Sequence, residues 1–495
     1  MNEKPNILFL IADQFRADCL SCAGNPVIKT PNLDHLAADG VRFDCAYSPD
    51  PICVPARASM ITGLYPHKCT GIKNNGGAIK NGIFKLPEFF RVQGYETYAS
   101  GKLHYVPYSA PGTPRLLHGF AKASLAESGR ILKEYDPQNT GRGIEDYADF
   151  LSDQGWHGFT RAHGAGNNDM TPVSSPLPAE FNVDAWVANR GIEYLEEHLS
   201  RKSAKPFLLN CGFPKPHSPY DPPPPWDHMY DPRQMPLPFS SADGDGAVRN
   251  LVAEKSSAAH GLYRFSSQAI QNIRAHYYGL ISFQDAQIGR IITFLKNKGL
   301  YDNTIIVFTA DHGDMLGDFN YVFKSTMYEG SCRVPFIIKS PGITAGVTKA
   351  LAGLQDLSPT ILSLCGLKAH ADFDGMDLSP VLINKQTVRD YLISYSLDDP
   401  QQTYMVRNSR FKFIYNQVMA IEELYDMQKD MHEECNLASG KNHEQMLKEI
   451  RNTMCRWARA NGDFSLFNSD NSLKVSHLDR NTFQFNEKNM GWRHY

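Results

Sequence analysis

Four segments, each followed at once by polar residues, set the fold that this chain can adopt. The clearest is residues 6–12, a continuous apolar run, and residues 206–213 and 304–310 repeat the pattern. An unbroken apolar run of this length is typical of a central parallel strand that is covered on both faces. Together with a strand predicted at residues 95–100, these segments predict an α/β fold with a mostly parallel sheet between helices.

Each of these predicted strands ends in polar side chains that can support chemistry. In chain order they are Asp13, Gln14, Lys102, His104, His217, Asp311 and His312. Ligands of open α/β sheets gather at the carboxyl ends of the strands, so we expect these side chains to converge. Two carboxylates with oxygen and nitrogen neighbours predict a site for calcium, magnesium or manganese. The lysine and histidine side chains supply positive charge for a tetrahedral oxyanion.

A further candidate is Cys53, which the sequence places at the entrance to a helix. Pro55 suits the first helical position, and Gly63 suits the position just beyond the last turn. Cys53 then lies where free backbone N–H groups and the helix dipole favour an anion. Arg57, one turn on, can direct its guanidinium back toward it. Taken alone, this motif also fits a buried cysteine beside a surface arginine.

The composition is that of an ordinary globular protein. The chain has 495 residues and a formal net charge of −3, without the basic excess of a nucleic-acid binder. No apolar run approaches the ~18 residues of a membrane span. Residues 1–5 lead directly into an apolar strand and leave no room for a signal peptide, so we expect a cytoplasmic protein. The ten cysteines are scattered, and we expect reduced thiols, with Cys19 and Cys22 packing rather than binding zinc.

The pattern of apolar and polar residues changes near residue 376. Residues 391–396, 403–407 and 410–416 alternate like antiparallel strands, with a hairpin turn predicted at Asn408 and Ser409. We therefore expect a catalytic domain over residues 1–375 and a smaller α+β subdomain over 376–495, with a short antiparallel sheet, a helix and a tail. Residues 105–180 and 214–265 lack sustained periodicity and are predicted to be surface excursions that select the substrate.

The segment from Cys53 to Arg57, followed by Ala-Ser-x-x-Thr and Gly63, resembles the signature of the formylglycine-dependent sulfatases of the alkaline phosphatase superfamily. The resemblance extends from Asn6 to about Ala438, and it implies an alkaline-phosphatase-like fold. In that family the cysteine is oxidised after translation to an aldehyde, whose hydrate is the nucleophile. The resemblance therefore implies that a formylglycine-generating maturation enzyme acts on Cys53.

The resemblance also implies roles for individual residues. The implied metal ligands are Asp13, Gln14, Cys53, Asp311 and His312. Gln14 stands where many members have a second Asp and His312 replaces an Asn, which lowers the negative charge; we expect Ca²⁺ first, with Mn²⁺ or Mg²⁺ next. The implied catalytic residues are Cys53, Arg57 and Lys102, which hold the hydrate and the sulfate; His104, which collapses the intermediate; and His217 and Lys324, which meet the leaving-group oxygen. Asn74 matches a sulfate-contacting asparagine of the choline-sulfatase and phosphonate-hydrolase branches.

These roles imply a sulfatase, and we expect a sulfated small molecule, a sugar or a glycan-derived saccharide, as its substrate. The basis for the sugar is the set of aromatic and imidazole residues in the two excursions: Trp156, His157, His163, Trp226 and His228. One alternative is a phosphonate monoester or phosphodiester hydrolase of the same superfamily. The other is a non-catalytic carbohydrate-binding relative with unmodified Cys53. Lys102 and His104 favour the sulfatase. We expect no nucleic-acid or membrane partner, and homo-oligomer formation stays open.

Overall fold

The computed structural model describes residues 4–69, 77–105, 115–127, 142–201, 205–242, 257, 262, 265–368, 372–396, 402–470 and 472–475. Its strands are β1 (Asn6–Asp13), β2 (Val41–Tyr47), β3 (Glu96–Gly101), β4 (Lys122–Leu125), β5 (Phe207–Pro216), β6 (Thr304–Ala310), β7 (Phe336–Lys339), β8 (Gly346–Gly353), β9 (Tyr391–Ser396), β10 (Thr403–Asn408), β11 (Phe411–Asn416) and β12 (Ile421–Asp426). Its α-helices are α1 (Pro31–Ala38), α2 (Cys53–Thr62), α3 (Pro66–Cys69), α4 (Leu86–Val92), α5 (Asp146–Asp153), α6 (Val183–Ser200), α7 (Ser267–Asn297), α8 (Glu329–Cys332), α9 (Leu357–Leu364), α10 (Ser379–Asn384) and α11 (Glu444–Ala460).

An eight-stranded mixed sheet lies at the centre of the protein, in the strand order β4-β3-β5-β1-β6-β7-β2-β8. Neighbouring strands are parallel except where β7 pairs with β6 and β2. In the register of this sheet Ala12 of β1 lies beside Phe213 of β5 and Ala310 of β6. The three central strands therefore reach the same edge of the sheet with their carboxyl ends.

The central strands are covered on both faces. Every residue of β1, β5 and β6 is buried, as the apolar runs predict for strands between two helical layers. Helix α7 contacts both α1 and α6, and all three contact the sheet, while α2 contacts α4 and α9 in a second group. The predicted α/β fold with a mostly parallel sheet is confirmed. In the described part of the chain no helix is both long enough and apolar enough to cross a bilayer.

A second, four-stranded sheet in the order β12-β11-β10-β9 follows in the chain. All its neighbouring strands are antiparallel, as predicted, and α11 packs against β10 and β11. The hairpin turn lies one residue later than expected, at Ser409 and Arg410, because Asn408 belongs to β10. Its side-chain oxygen accepts the N–H groups of Arg410 (2.9 Å) and Phe411 (2.7 Å), which closes the turn.

A buried cluster of charged residues ties the second sheet to the first. Lys412 of β11 is fully buried, and its Nζ lies 2.8 Å from Glu329 Oε1 and 2.6 Å from Glu433 Oε1. Glu433 Oε2 accepts the backbone N–H of Glu329 (2.7 Å), and Arg333 also pairs with Glu329 (2.8 Å). Since Glu329 begins α8, just after the segment that carries Lys324, the cluster fixes that segment against β11.

The sequence also predicts a strand at residues 334–339, and β7 confirms it, whereas four of the described strands have no counterpart in the sequence-based expectations: β2, β4, β8 and β12. β4 has four residues, too few for a periodic signal, and several residues of β2, β8 and β12 are partly or fully exposed. β4 also corrects the expectation that residues 105–180 form a surface excursion throughout. It pairs with β3 as the edge strand of the large sheet, and α5 follows it.

Candidate active site

The candidate site forms where four neighbouring strands of the large sheet end. Asp13 is the last residue of β1, and Lys102, His217 and Asp311 follow β3, β5 and β6. These strands are adjacent in the order β3-β5-β1-β6 and mutually parallel, so their carboxyl ends share one edge. The first residue of α2, Cys53, and Lys324 from the segment after β6 complete the cluster.

Helix α2 presents Cys53 at its first position, after an extended Ile52. Pro55 is therefore the third helical residue rather than the first, a position where its missing N–H still needs no intrahelical partner. Gly63 ends the helix as predicted, with φ of 71° and its N–H donated to Ser59 O at 2.9 Å. All ten residues of α2 are buried, so Arg57 is not a surface arginine.

The Cys53 thiol lies among basic groups and is fully buried. Its Sγ is 3.1 Å from Lys324 Nζ and 3.2 Å from His312 Nε2, and it interacts electrostatically with the neighbouring His104 side chain. Burial alone raises the pKa of the thiol, but Lys324 and Lys102 outweigh burial and hold that pKa well below its usual range. The position is thus built to stabilise an anion on residue 53.

Two buried carboxylates flank Cys53, and each has a cationic partner. Lys102 pairs with Asp13, and Arg57 Nε donates to Asp311 Oδ2 at 2.7 Å. Burial raises the pKa of Asp13, but Lys102, aided by other cationic neighbours, outweighs burial and keeps the pKa well below its ordinary value. The pKa of Asp311 is raised, chiefly by burial, with Arg57 opposing and the Asp13 carboxylate reinforcing the shift.

The orientation of His312 tests whether a cation fits between these carboxylates. Its Nδ1 lies 2.9 Å from Gly313 O, which can only accept, so Nδ1 carries the proton. Nε2 then faces Asp13 Oδ1 at 3.8 Å and Asp311 Oδ1 at 3.6 Å. Burial lowers the pKa of His312, yet Asp311 outweighs it and the pKa is raised, which shows that positive charge is favoured here.

The donor set fits a divalent cation. One ligand atom each from Asp13, Cys53, Asp311 and His312 lies within 4.8 Å of the others, and all four residues are buried. Two carboxylates and an imidazole nitrogen are ligands that a hard or borderline metal ion accepts. Four of the five residues that the sequence singled out as metal ligands are therefore brought together. The amide oxygen of the fifth, Gln14, lies 3.1 Å from Lys324 Nζ, which is itself 3.1 Å from Cys53 Sγ.

Lys324 and His217 form the opposite wall of the site. His217 Nδ1 donates to Ser218 O at 2.8 Å, so its Nε2 accepts from Lys324 Nζ at 3.1 Å. Burial and the Lys324 ammonium hold the pKa of His217 well below its usual range. In this arrangement Lys324 carries the transferable proton and His217 is a neutral acceptor beside it.

Arg57 keeps a donor available for an anion. Its Nε binds Asp311, and its Nη1 donates to Lys102 O at 3.2 Å. Its Nη2 is buried and has no hydrogen-bond partner among the residues that the structure describes. A buried guanidinium donor without a partner is costly unless a ligand satisfies it, so Nη2 suits an oxyanion of a substrate.

The remaining predicted residues are Asn74 and the aromatic and imidazole set expected to meet a sugar. Asn74 lies outside the described residues. Trp156 packs against Phe159, with ring centroids 5.1 Å apart, and Trp226 packs against Phe283 at 4.8 Å. His163 Nε2 lies 3.2 Å from Asp221 Oδ2. These contacts occupy part of each side chain, and both tryptophans stay partly exposed, so their expected contact with a sugar remains a prediction.

Two carboxylates support the site and were not assigned this role from the sequence. Glu127 Oε1 accepts the backbone N–H groups of Leu103 and His104, each at 3.0 Å, and fixes His104 at a φ of 52°. Asp314 Oδ2 accepts from Gln14 Nε2 at 2.6 Å. No sequence signal points to Glu127. Asp314 follows a strand, where an aspartate is ordinarily a turn or cap residue.

Comparisons with known proteins agree with this geometry. The Sulfatase family model matches residues 5–367, and the model of the C-terminal part of N-sulphoglucosamine sulphohydrolase matches residues 317–460. An arylsulfatase of Clostridium perfringens is 31% identical, over 92% of this chain and 94% of its own. An N-acetylglucosamine-6-O-sulfatase of Bacteroides thetaiotaomicron is 27% identical, over 90% and 85%.

Among solved structures, the phosphonate monoester hydrolase SpPMH of Silicibacter pomeroyi superposes with a TM-score of 0.77 at 26% identity, over 96% of this chain and all of that one. The fold is thus shared across the superfamily, and the family model covers well over half of the chain. The chain therefore belongs to the sulfatase family of the alkaline phosphatase superfamily and is a sulfuric ester hydrolase.

Proposed function

We propose that this sulfatase hydrolyses the sulfate ester of a sugar or glycan-derived saccharide through a formylglycine made from Cys53. The observation that carries the proposal is the enclosure of Cys53 by Lys324, Lys102, His104 and Arg57. Such a set stabilises both an anionic nucleophile and a transferring oxyanion. The sugar is supported by the relative named N-acetylglucosamine-6-O-sulfatase, and Trp156 and Trp226 stay partly exposed beside their packing partners.

The chain's own residues account for two proton transfers in the reaction, one to the leaving group and one from the second hydroxyl of the hydrate. Cys53 Sγ stands in for the oxygens of an aldehyde hydrate, and the lysine charges that lower the thiol pKa favour a deprotonated hydrate equally. That oxygen forms a bond to sulfur while the ester S–O bond breaks. Lys324, 3.1 Å from Cys53 Sγ, gives its proton to the departing alcohol oxygen.

His104 completes the cycle. It removes the proton from the second hydroxyl of the residue-53 hydrate, the C=O double bond re-forms, and the C–O bond to sulfate breaks. Sulfate leaves, and water restores the hydrate. A thiol offers no second hydroxyl on the same carbon, so unmodified Cys53 cannot release its adduct in this way.

Asp13, Gln14, Asp311 and His312, with residue 53, would hold one divalent cation. When bound, this ion supplies positive charge that lowers the pKa of the hydrate and polarises the sulfate oxygens. Ca²⁺ is our first choice because oxygen donors predominate, with Mn²⁺ or Mg²⁺ next.

A phosphonate monoester hydrolase is the second candidate. It is favoured by the likeness to SpPMH. The presence of both Gln14 and His312 among the expected metal ligands also fits the phosphonate-hydrolase branch of the superfamily. The ion pair of Lys102 with Asp13 and the interaction of His104 with Cys53 favour the sulfatase instead. The non-catalytic alternative is not retained, because the family and the relatives are those of enzymes.

The test is to produce the chain with and without a formylglycine-generating enzyme and to measure the mass of the peptide that carries residue 53. Both preparations are then assayed on sulfated sugars, aryl sulfates, choline sulfate and phosphonate esters. We expect the aldehyde form alone to turn over, with a sulfated sugar as the best substrate. Preference for a phosphonate ester over every sulfated sugar would overturn the substrate, and turnover by the thiol form would overturn the mechanism.

A further inference from the structure

The amide of Gln14 has a defined orientation in the site. Its Nε2 lies 2.6 Å from Asp314 Oδ2, and its Oε1 lies 3.1 Å from Lys324 Nζ. A carboxylate accepts hydrogen bonds and an ammonium donates them, so the two partners agree on which end is nitrogen. Turning the amide by 180° would set its NH₂ against the lysine and its oxygen against the carboxylate.

Asp314 is itself held firmly. It is fully buried, its Oδ2 also accepts from Tyr220 Oη at 2.6 Å, and its Oδ1 accepts from Leu316 N at 3.0 Å. Arg16 Nη1 donates to its backbone oxygen at 2.8 Å. The carboxylate thus cannot move away from Gln14 without leaving other buried donors unpaired.

We propose that Asp314 is a positioning residue that turns the Gln14 amide oxygen toward the cation site. The inference rests on the cation site of the proposed function. Hard cations bind the oxygen of an amide and are repelled by its NH₂ group, so the orientation decides whether Gln14 can be a ligand. Asp314 touches neither residue 53 nor its basic neighbours through the contacts above, and it acts through Gln14.

Position 314 should need a hydrogen-bond acceptor only when residue 14 is a glutamine. A glutamine needs an acceptor at Asp314 because its two ends differ. A glutamate has two equivalent oxygens, needs no such partner, and would face the Asp314 carboxylate at hydrogen-bond distance. Replacing Asp314 by asparagine should therefore harm cation binding beside Gln14 and help it when a glutamate occupies position 14.

The experiment measures the dissociation constants of Ca²⁺ and Mn²⁺ by titration calorimetry of the full chain after chelator treatment, without substrate. We expect D314N to weaken binding about 10- to 100-fold, the range for partners that orient metal ligands. In the Q14E background the same substitution should leave binding unchanged or tighten it. Tyr220→Phe, which keeps the Gln14–Asp314 bond, is the matched control and should stay within about threefold of the original chain.

Each outcome decides. Weakening by D314N beside Gln14, reversed or abolished in the Q14E background, supports the inference and shows that the double variant is folded. Equal weakening in both backgrounds would reduce Asp314 to general support of the fold and overturn it. The inference would also be overturned if the unsubstituted chain binds the cation well and D314N binds it equally well. If the unsubstituted chain binds neither ion, the cation site of the proposed function fails, and this inference fails with it.

Discussion

Lys412→Met tests the buried cluster that joins the two sheets. Lys412 Nζ is the cation between the carboxylates of Glu329 and Glu433, at 2.8 and 2.6 Å, and it is fully buried. Removing one partner of a buried ion pair costs roughly 3–5 kcal/mol. Glu329 keeps Arg333 as a partner, so most of that cost falls on Glu433.

The destabilisation should depend on pH. Burial raises the pKa of Glu433 to about 7 with Lys412 present, so its carboxylate ionises above that pH in the original chain. Without Lys412 it stays protonated, while the unfolded chain is ionised. The folded variant then binds one proton more than its unfolded form, so its stability falls by up to about 1.4 kcal/mol per pH unit above 7.

Urea titrations at pH 6, 7 and 8.5, followed by intrinsic fluorescence, measure both effects. We expect the loss to be smallest and constant below pH 7, where Glu433 is protonated in both chains, and to grow above pH 7 toward about 3–5 kcal/mol. The growth should vanish in a Glu433→Gln background. Lys122→Met, which breaks a solvent-exposed pair with Glu197, should cost far less than Lys412→Met, because water screens the pair. A loss from Lys412→Met no larger than that of Lys122→Met at pH 8.5 would refute the reasoning.

Three further predictions concern single residues. Cys53→Ser should attack once and stall as a sulfate ester that intact mass detects, because the side-chain carbon of serine bears no second hydroxyl. Cys53→Ala should form no adduct. Full turnover by the serine variant would contradict the mechanism. Arg57→Lys keeps the positive charge, but a lysine cannot bind Asp311 through Nε while it presents Nη2 to the substrate. We therefore expect kcat/KM to fall about 10²- to 10³-fold in steady-state assays. A loss below tenfold would count against Arg57 as a ligand of the substrate oxyanion. Burial raises the pKa of Asp184 to about 7, above its unfolded value, so the stability from its protonated form is present at low pH and lost as pH rises through 7. Asp184→Asn should therefore gain stability relative to the original chain between pH 5 and 8 in urea titrations, and a pH-independent difference would refute the assignment.

Much of the site could be predicted because it follows a rule of parallel sheets. Asp13, His217 and Asp311 each follow an apolar strand, and strands of one direction bring such residues to one edge. Cys53 was identifiable from its helix entrance. The position of Pro55 in α2 was wrong by two residues, because helix starts depend on local backbone hydrogen bonds that residue types only suggest.

The supporting residues could not be predicted, because their partners are distant in the chain. Gln14 and Asp314 are 300 residues apart, and their contact follows from the register of β1 and β6. Glu127 accepts hydrogen bonds from two backbone N–H groups, and such a contact cannot be inferred from residue types. Trp156 is expected to meet a sugar because aromatic residues suit sugar faces; its ring contacts Phe159 and Phe181 and stays partly exposed, so this expectation remains a prediction.

The central place of β1 in the large sheet has a consequence for synthesis. Its neighbours are β5 and β6, whose residues follow about 200 and 300 positions later. At about 5–20 residues per second, β6 is translated roughly 15–60 s after β1. Until β5 is made, roughly 10–40 s after β1, a largely apolar, eight-residue segment has neither of its neighbours, so the nascent chain is prone to aggregation and suited to chaperone binding.

The same delay decides when Cys53 can be reached. In the finished fold the residue is fully enclosed, and three of the residues around it are Asp311, His312 and Lys324. These are made about 260 or more residues after it, as the numbering shows. An enzyme that modifies Cys53 therefore has access to it on the growing chain and loses that access once β6 and the segment after it dock.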